Sequence, residues 1–119
     1  MIDVNEFVKK YLGQKVGAGI SPCFRWVKKF YHDEFGIKIP YDYLEMLKDF
    51  RSIEEASFGD IVVMKALHDL VPDHLGIYLE RGEFAHCGAG CNSDEVVIGS
   101  VTDFLWKTKI MGYLRHKSR

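Results

Sequence analysis

No run in this sequence approaches the roughly 20 consecutive apolar residues that a membrane-spanning helix requires, which excludes a helical membrane span. An excess of either charge is also missing. Sixteen Lys and Arg stand against 17 Asp and Glu, a formal net charge of −1, which argues against broad electrostatic binding to nucleic acid or an anionic membrane. Lys28, Lys29, Lys107, Lys109, Arg115, Lys117 and Arg119 therefore read as solvated faces and a basic tail. Linkers, internal repeats and low-complexity stretches are absent, so residues 1–119 are expected to form a single domain. The opening Met1-Ile2-Asp3-Val4-Asn5-Glu6 lacks the basic and apolar regions of a signal peptide. Gly13, Gly17 and Gly19 are not followed by the Gly-Lys-Ser/Thr ending of a phosphate-cradling loop. Cysteine is scarce, with Cys23, Cys87 and Cys91 the only three.

What is present suffices for a proper core, with 47% hydrophobic and 13% aromatic residues. A first helix is expected where Asp3 and Glu6 form a capping box and Val4, Phe7, Val8, Tyr11 and Leu12 make an apolar stripe, ended by Gly13. Ser21 and Pro22 suit the N-cap and first position of a second helix, which places Cys23 in its first turn and Gly36 at its end. Val27, Phe30, Tyr31 and Glu34 share the Cys23 side. Asp42 and Glu45 repeat the capping-box pattern for a third helix through Phe50, carrying Tyr43, Met46 and Leu47 as a cleft wall. Strands are expected at 60–65, 74–79, 83–87, 95–101 and 109–116, with a helical turn near 102–106. Helices first and antiparallel strands after predict an α+β domain.

Cys23 is the candidate nucleophile. Unpaired N–H groups and the positive end of the dipole in a helix's first turn favour thiolate, the reactive form. An isolated cysteine is more often a small buried apolar residue, so its company decides. Glu80-Arg81-Gly82 reads as a three-residue hairpin loop, two right-handed residues followed by a left-handed Gly82. That register pairs Leu79 with Glu83, Tyr78 with Phe84 and Gly76 with His86. It puts His74 and His86 on one face as diagonal neighbours, whereas a one-residue slip would separate them. Gly76 opposite His86 leaves room for an imidazole to lean toward its partner. His74 as base and His86 as orienter complete the logic of covalent catalysis.

The residues Gly13 through Cys23, Phe30-Tyr31, Gly36-Ile37, Pro40, Phe58-Gly59-Asp60-Ile61-Val62, His74-Leu75-Gly76-Ile77-Tyr78-Leu79 and Phe84-Ala85-His86 resemble the NlpC-type cysteine peptidases. These papain-like enzymes cut peptidoglycan stem peptides. The resemblance covers nearly the whole chain, and its most specific part is the Gly-Asp strand followed by the His-x-Gly-Ile-Tyr-Leu strand and a second histidine. It implies Cys23 as nucleophile, His74 as base, His86 as third polar residue, and no metal or organic cofactor. The closing Ile110-Met111-Gly112-Tyr113-Leu114-Arg115 resembles the ending of short bacteriophage tail-associated members. The expectation is thus a virion tail enzyme, made in a host cytoplasm, that opens the wall beside tail-tip or baseplate partners. A missing signal peptide agrees with that route. Three positions depart from the family pattern: Pro22 where Asp is usual, Phe24 where a small residue is usual, and Val16 where a tyrosine assists the substrate end. These departures define the alternative, an inactive tail or baseplate module that keeps the fold.

Cys87 and Cys91 with His74 or His86 pose the rival chemistry of a zinc site, as would a disulfide or two free thiols. Strand parity opposes zinc, because Cys87 should point away from the face that holds His86, and a single Cys-x-x-x-Cys lacks the paired repeats of structural zinc sites. Asp60 reads as a turn residue, and His32, His68 and His116 read as solvent-facing. Trp26 and Trp106 offer faces for sugar rings, though core or rim packing is commoner for tryptophan.

Overall fold

The computed structural model describes residues 4–16, 22–65, 73–87 and 95–119. Its helices are α1 (Val4–Tyr11), α2 (Pro22–Phe35), α3 (Tyr43–Leu47) and α4 (Phe104–Lys107). Its strands are β1 (Phe50–Ile53), β2 (Ile61–Met64), β3 (His74–Tyr78), β4 (Glu83–Cys87), β5 (Val96–Ser100) and β6 (Ile110–His116). The strands form one antiparallel sheet in the order β1-β6-β2-β3-β4-β5. This is the expected α+β architecture, and α2 lies against β3 and β4.

The uninterrupted run from Pro22 to Phe35 makes α2 the longest element, and its apolar residues Phe24, Trp26, Val27, Phe30 and Tyr31 are all buried. Gly36 ends it at φ 65°, with its N–H on the His32 carbonyl and the Ile37 N–H on Tyr31. Phe7 and Tyr11 of α1 meet Trp26 edge-on, at ring-centroid distances of 5.9 and 5.2 Å. Such edge-to-face pairs satisfy the ring quadrupoles while burying large apolar areas. Ile61, Val63, Leu75, Ile77, Ala85, Cys87 and Val96 supply the sheet's share of this main core. Alternate residues face the other way, and Val62, Met64, Phe84 and Trp106 form a second core on the opposite side. The sheet is therefore covered on both faces, which is why every residue of β2 is buried.

Several expectations are corrected. Leu12 is exposed, because α1 ends at Tyr11 and the chain turns at Gly13, where φ is 81°. Asp42 does cap α3, accepting from the Leu44 and Glu45 N–H groups, but the helix stops at Leu47. Phe50 opens β1 instead, paired with His116, so tertiary pairing with a distant strand overrides the helical spacing of Phe50. Asp3, Gly17, Gly19, Ser21, His68 and Cys91 lie outside the described residues.

Arg115 and Arg119 are not a solvated tail. Asp60 is fully buried, and its carboxylate accepts from Arg115 Nε (3.0 Å) and Nη2 (2.8 Å), Arg119 Nη1 (3.1 Å) and the Ser57 N–H (2.7 Å). A buried carboxylate needs this many donors to offset the loss of water. Gly59 enters the same cluster at φ 90°, where an added Cβ would lie 2.7 Å from the Phe35 ring and 3.0 Å from Arg119. His116 is likewise half-buried, standing edge-on to Phe50 at 5.0 Å, and burial pushes its pKa down.

Candidate active site

The β3–β4 hairpin pairs Gly76 with His86, Ile77 with Ala85 and Tyr78 with Phe84, in the register read from the sequence. Its turn differs in detail. Arg81 (φ 52°) and Gly82 (φ 80°) both take positive φ, and the Glu83 N–H donates to the Glu80 carbonyl at 2.9 Å. A mirror-image turn matches the right-handed twist of paired strands. Glu80 is then the extra residue, and the Leu79 N–H still reaches the Glu83 carbonyl at 2.8 Å.

That register brings the two histidines together. His74 Nε2 lies 2.8 Å from His86 Nδ1, with the rings perpendicular at 88° and 5.0 Å apart. Both side chains are almost fully buried, at 4% and 2% exposure. One proton serves this contact, so one ring donates and the other accepts. Burial pushes the His74 pKa below the ordinary imidazole value, with the Asp73 carboxylate pulling the other way. That shift favours the neutral His74 ring, the form able to accept a proton.

Gly76 leaves space as expected, but the Phe84 ring takes it: an added Cβ would lie 2.9 Å from Phe84 Cδ2 and 3.2 Å from the Ala85 carbonyl. Gly99 of β5, opposite Phe84, does the same from the other side, since a Cβ there would lie 2.9 Å from Phe84 Cζ and 3.1 Å from His86 Nε2. Two glycines on neighbouring strands thus seat Phe84, which in turn packs at 5.0 Å against His86.

Cys23 is the second residue of α2, half-buried and packed against the main core. Three residues on, Trp26 Nε1 donates to the Ala85 carbonyl at 2.9 Å. This buried bond fastens the N-terminal half of α2 to the residue just before His86, and it assigns Trp26 to the core rather than to a sugar. Phe24 also turns inward, with its ring 5.4 Å from that of Tyr41, and Val16 is half-buried against the same core. Cys87 belongs to the main core, whereas His86 meets Phe84 and Trp106 on the opposite face. Cys87 therefore points away from the face that holds His86, as strand parity predicts. Among the described residues no group of three His, Cys, Asp or Glu is placed to hold a metal ion. His32 is exposed as expected.

Neither Gly99 nor Trp106 was tied to the histidines in sequence, where Trp106 read as a sugar-ring face or, more commonly, core or rim packing. Gly99 had a usable signal, since glycine inside a strand often marks a close approach. Trp106 had none: its indole lies parallel to the His74 ring at 9° and 5.5 Å, a contact made across the sheet between distant segments.

The model of the NlpC/P60 family matches residues 10–115. No curated protein matches the chain. Among solved structures, the chain is similar to a lipoprotein-like NLP/P60 family protein of Staphylococcus aureus subsp. aureus Mu50, with 26% identity, a TM-score of 0.69, and 90% of this chain and 38% of that chain covered. An NlpC/P60 family protein of Bacillus cereus ATCC 10987 gives 19% identity and a TM-score of 0.71, covering 96% and 39%. The NlpC/p60 domain of the peptidoglycan hydrolase SagA gives 21% identity and a TM-score of 0.61, covering 90% of each chain. The last two likenesses concern the fold. The chain spans less than two-fifths of the length of the first two proteins.

Proposed function

Because the chain belongs to the NlpC/P60 family, we propose that it is a cysteine peptidase or amidase that cuts peptidoglycan stem peptides with Cys23, His74 and His86. The observation that carries this reading is the buried His74–His86 hydrogen bond, which occupies His74 Nε2, so that proton transfer falls to the ring's other nitrogen, Nδ1, in the proposed reaction. In the proposed reaction His74 Nδ1 takes the Cys23 Sγ proton and the thiolate attacks an amide carbonyl. The Cys23 backbone N–H, in the first turn of α2, steadies the oxyanion. The C–N bond breaks as His74 returns the proton to the leaving amine, and the acyl group stays on sulfur. Water then attacks, again giving its proton to His74, and releases a carboxylic acid with the thiol restored. His86 holds the His74 ring in the productive tautomer throughout.

The placement in a bacteriophage tail, acting in local wall penetration beside tail-tip or baseplate proteins, rests on the likeness of residues 110–115 to short tail-associated members. A second reading, a tail module that keeps the fold without turnover, is favoured by Pro22, Phe24 and Val16. The two readings divide on one experiment. Purified peptidoglycan of several chemotypes is incubated with the reduced wild-type protein and with Cys23→Ala, and new amino groups are counted. Release that vanishes in Cys23→Ala is the expected result, and product mass then names the bond. No release from a folded wild-type protein overturns the hydrolase reading in favour of the module.

A further inference from the structure

Trp106 touches both rings of the histidine pair. Its indole is stacked on His74 and stands edge-on to His86 at 5.0 Å and 81°. The indole is itself held. It is 6% exposed and packed in the second core with Val62, Met64 and Phe84. Asp103 caps the short helix α4 by accepting from the Leu105 N–H at 2.8 Å, and the Trp106 N–H returns to the Asp103 carbonyl at 3.0 Å. The Lys109 N–H closes the far side on the Trp106 carbonyl at 2.8 Å. The neighbour of the histidines is therefore a fixed wall.

A histidine ring turns about a soft, roughly two-fold torsion. A half-turn of His74 would replace Nε2 by a carbon at the His86 contact and break the 2.8 Å bond. To make that turn the ring must swing out of its plane, through space the parallel indole fills. The same indole keeps water from the histidine–histidine bond, and its face favours the imidazolium that forms when His74 holds the cysteine proton. We propose that Trp106 is a positioning residue for the His74 base, fixing the imidazole plane so that Nε2 stays on His86 and Nδ1 stays available to the thiol. This inference rests on the Cys23–His74–His86 reading for its catalytic meaning, but not for its geometry. Around the His74 ring stand His86 from β4 and Trp106 from α4, with the Asp73 carboxylate on the preceding residue.

The test compares Trp106→Leu, which fills the core without an aromatic face, with Trp106→Phe, which restores one. Phe104→Ala, in the same helix at a side chain 95% exposed, serves as the control. Nitrogen-15 NMR of the imidazoles, assigned with His74→Gln, reads the tautomer directly. The wild type, Trp106→Phe and Phe104→Ala are expected to show one tautomer with a ring N–H slow to exchange with water. Trp106→Leu is expected to show averaged tautomers and a fast-exchanging N–H. On peptidoglycan, Trp106→Leu should lower kcat on the order of a hundredfold, the cost of a misplaced catalytic group, with KM little changed. Identical ring spectra in wild type and a folded Trp106→Leu would overturn the positioning role. A wild type that shows the fixed tautomer yet releases nothing from peptidoglycan would overturn the hydrolase reading and leave the role of Trp106 standing.

Discussion

Replacing Asp60 with Ala removes the acceptor of three guanidinium hydrogen bonds and the Ser57 N–H bond while leaving both arginines in place. Breaking a buried ion pair costs about 3–5 kcal/mol, since a charge is left without a partner. The Arg115 and Arg119 side chains keep 24% and 19% of their exposure, so water recovers part of the loss. The low end, about 3 kcal/mol, is therefore expected. At roughly 4 °C per kcal/mol for a domain of this length, Tm should fall by about 12 °C. Asp60→Asn keeps the shape and one acceptor oxygen and should lie between. Adding Arg115→Met to Asp60→Ala should return part of the loss, because one unpartnered cation goes. The assay is thermal unfolding by circular dichroism with urea unfolding beside it. A fall of less than about 4 °C in Asp60→Ala, with an unchanged urea slope, would refute the claim that this carboxylate organises the junction of β2 with the end of β6.

Gly99→Ala should cost about 1–3 kcal/mol, the usual range for overpacking, and slow alkylation of Cys23 by iodoacetamide because His86 is displaced. Gly112→Ala, where a Cβ meets nothing within 4 Å, is the matched control and should leave Tm unchanged. An unaltered Gly99→Ala would mean that β5 can back away from Phe84. Stability should also fall on acidification. Burial lowers the pKa values of His74 and His116 in the folded state, so below the ordinary value of 6.5 the unfolded chain binds more protons. The stabilisation is complete above 6.5 and is lost as pH drops toward the lowered folded values. Urea unfolding between pH 7.5 and 5 reads the slope, which His116→Gln should reduce; an unchanged slope would exclude His116 as a contributor.

The parts of the site that are local in sequence were legible in it. Turn length and strand parity put His74 and His86 on one face, and the glycine-free run after Pro22 put Cys23 in a helix's first turn. The Asp42 cap was legible for the same reason. Contacts between distant segments were not. Phe50 fits the stripe of α3, and nothing nearby reveals that residues 113–116 pair with its strand. Arg115 and Arg119 look solvated because their partner, Asp60, lies 55 and 59 residues away. Trp106 resembles any core tryptophan until β5 and β6 bring α4 over the histidines. Arg81 differs in kind: its left-handed backbone is a local feature, but glycine advertises positive φ and arginine does not.

The sheet order has a consequence for synthesis. β6 is the last described strand in the chain, yet it is an inner one, inserted between β1 and β2. A nascent chain halted before Ile110 leaves β1 without a neighbour and the all-apolar β2 with a bare edge, which invites pairing with other chains. The growing polypeptide therefore cannot complete its sheet until β6 has emerged. Assembly waits for residues 110–116, and the interval before they emerge is the one most exposed to aggregation.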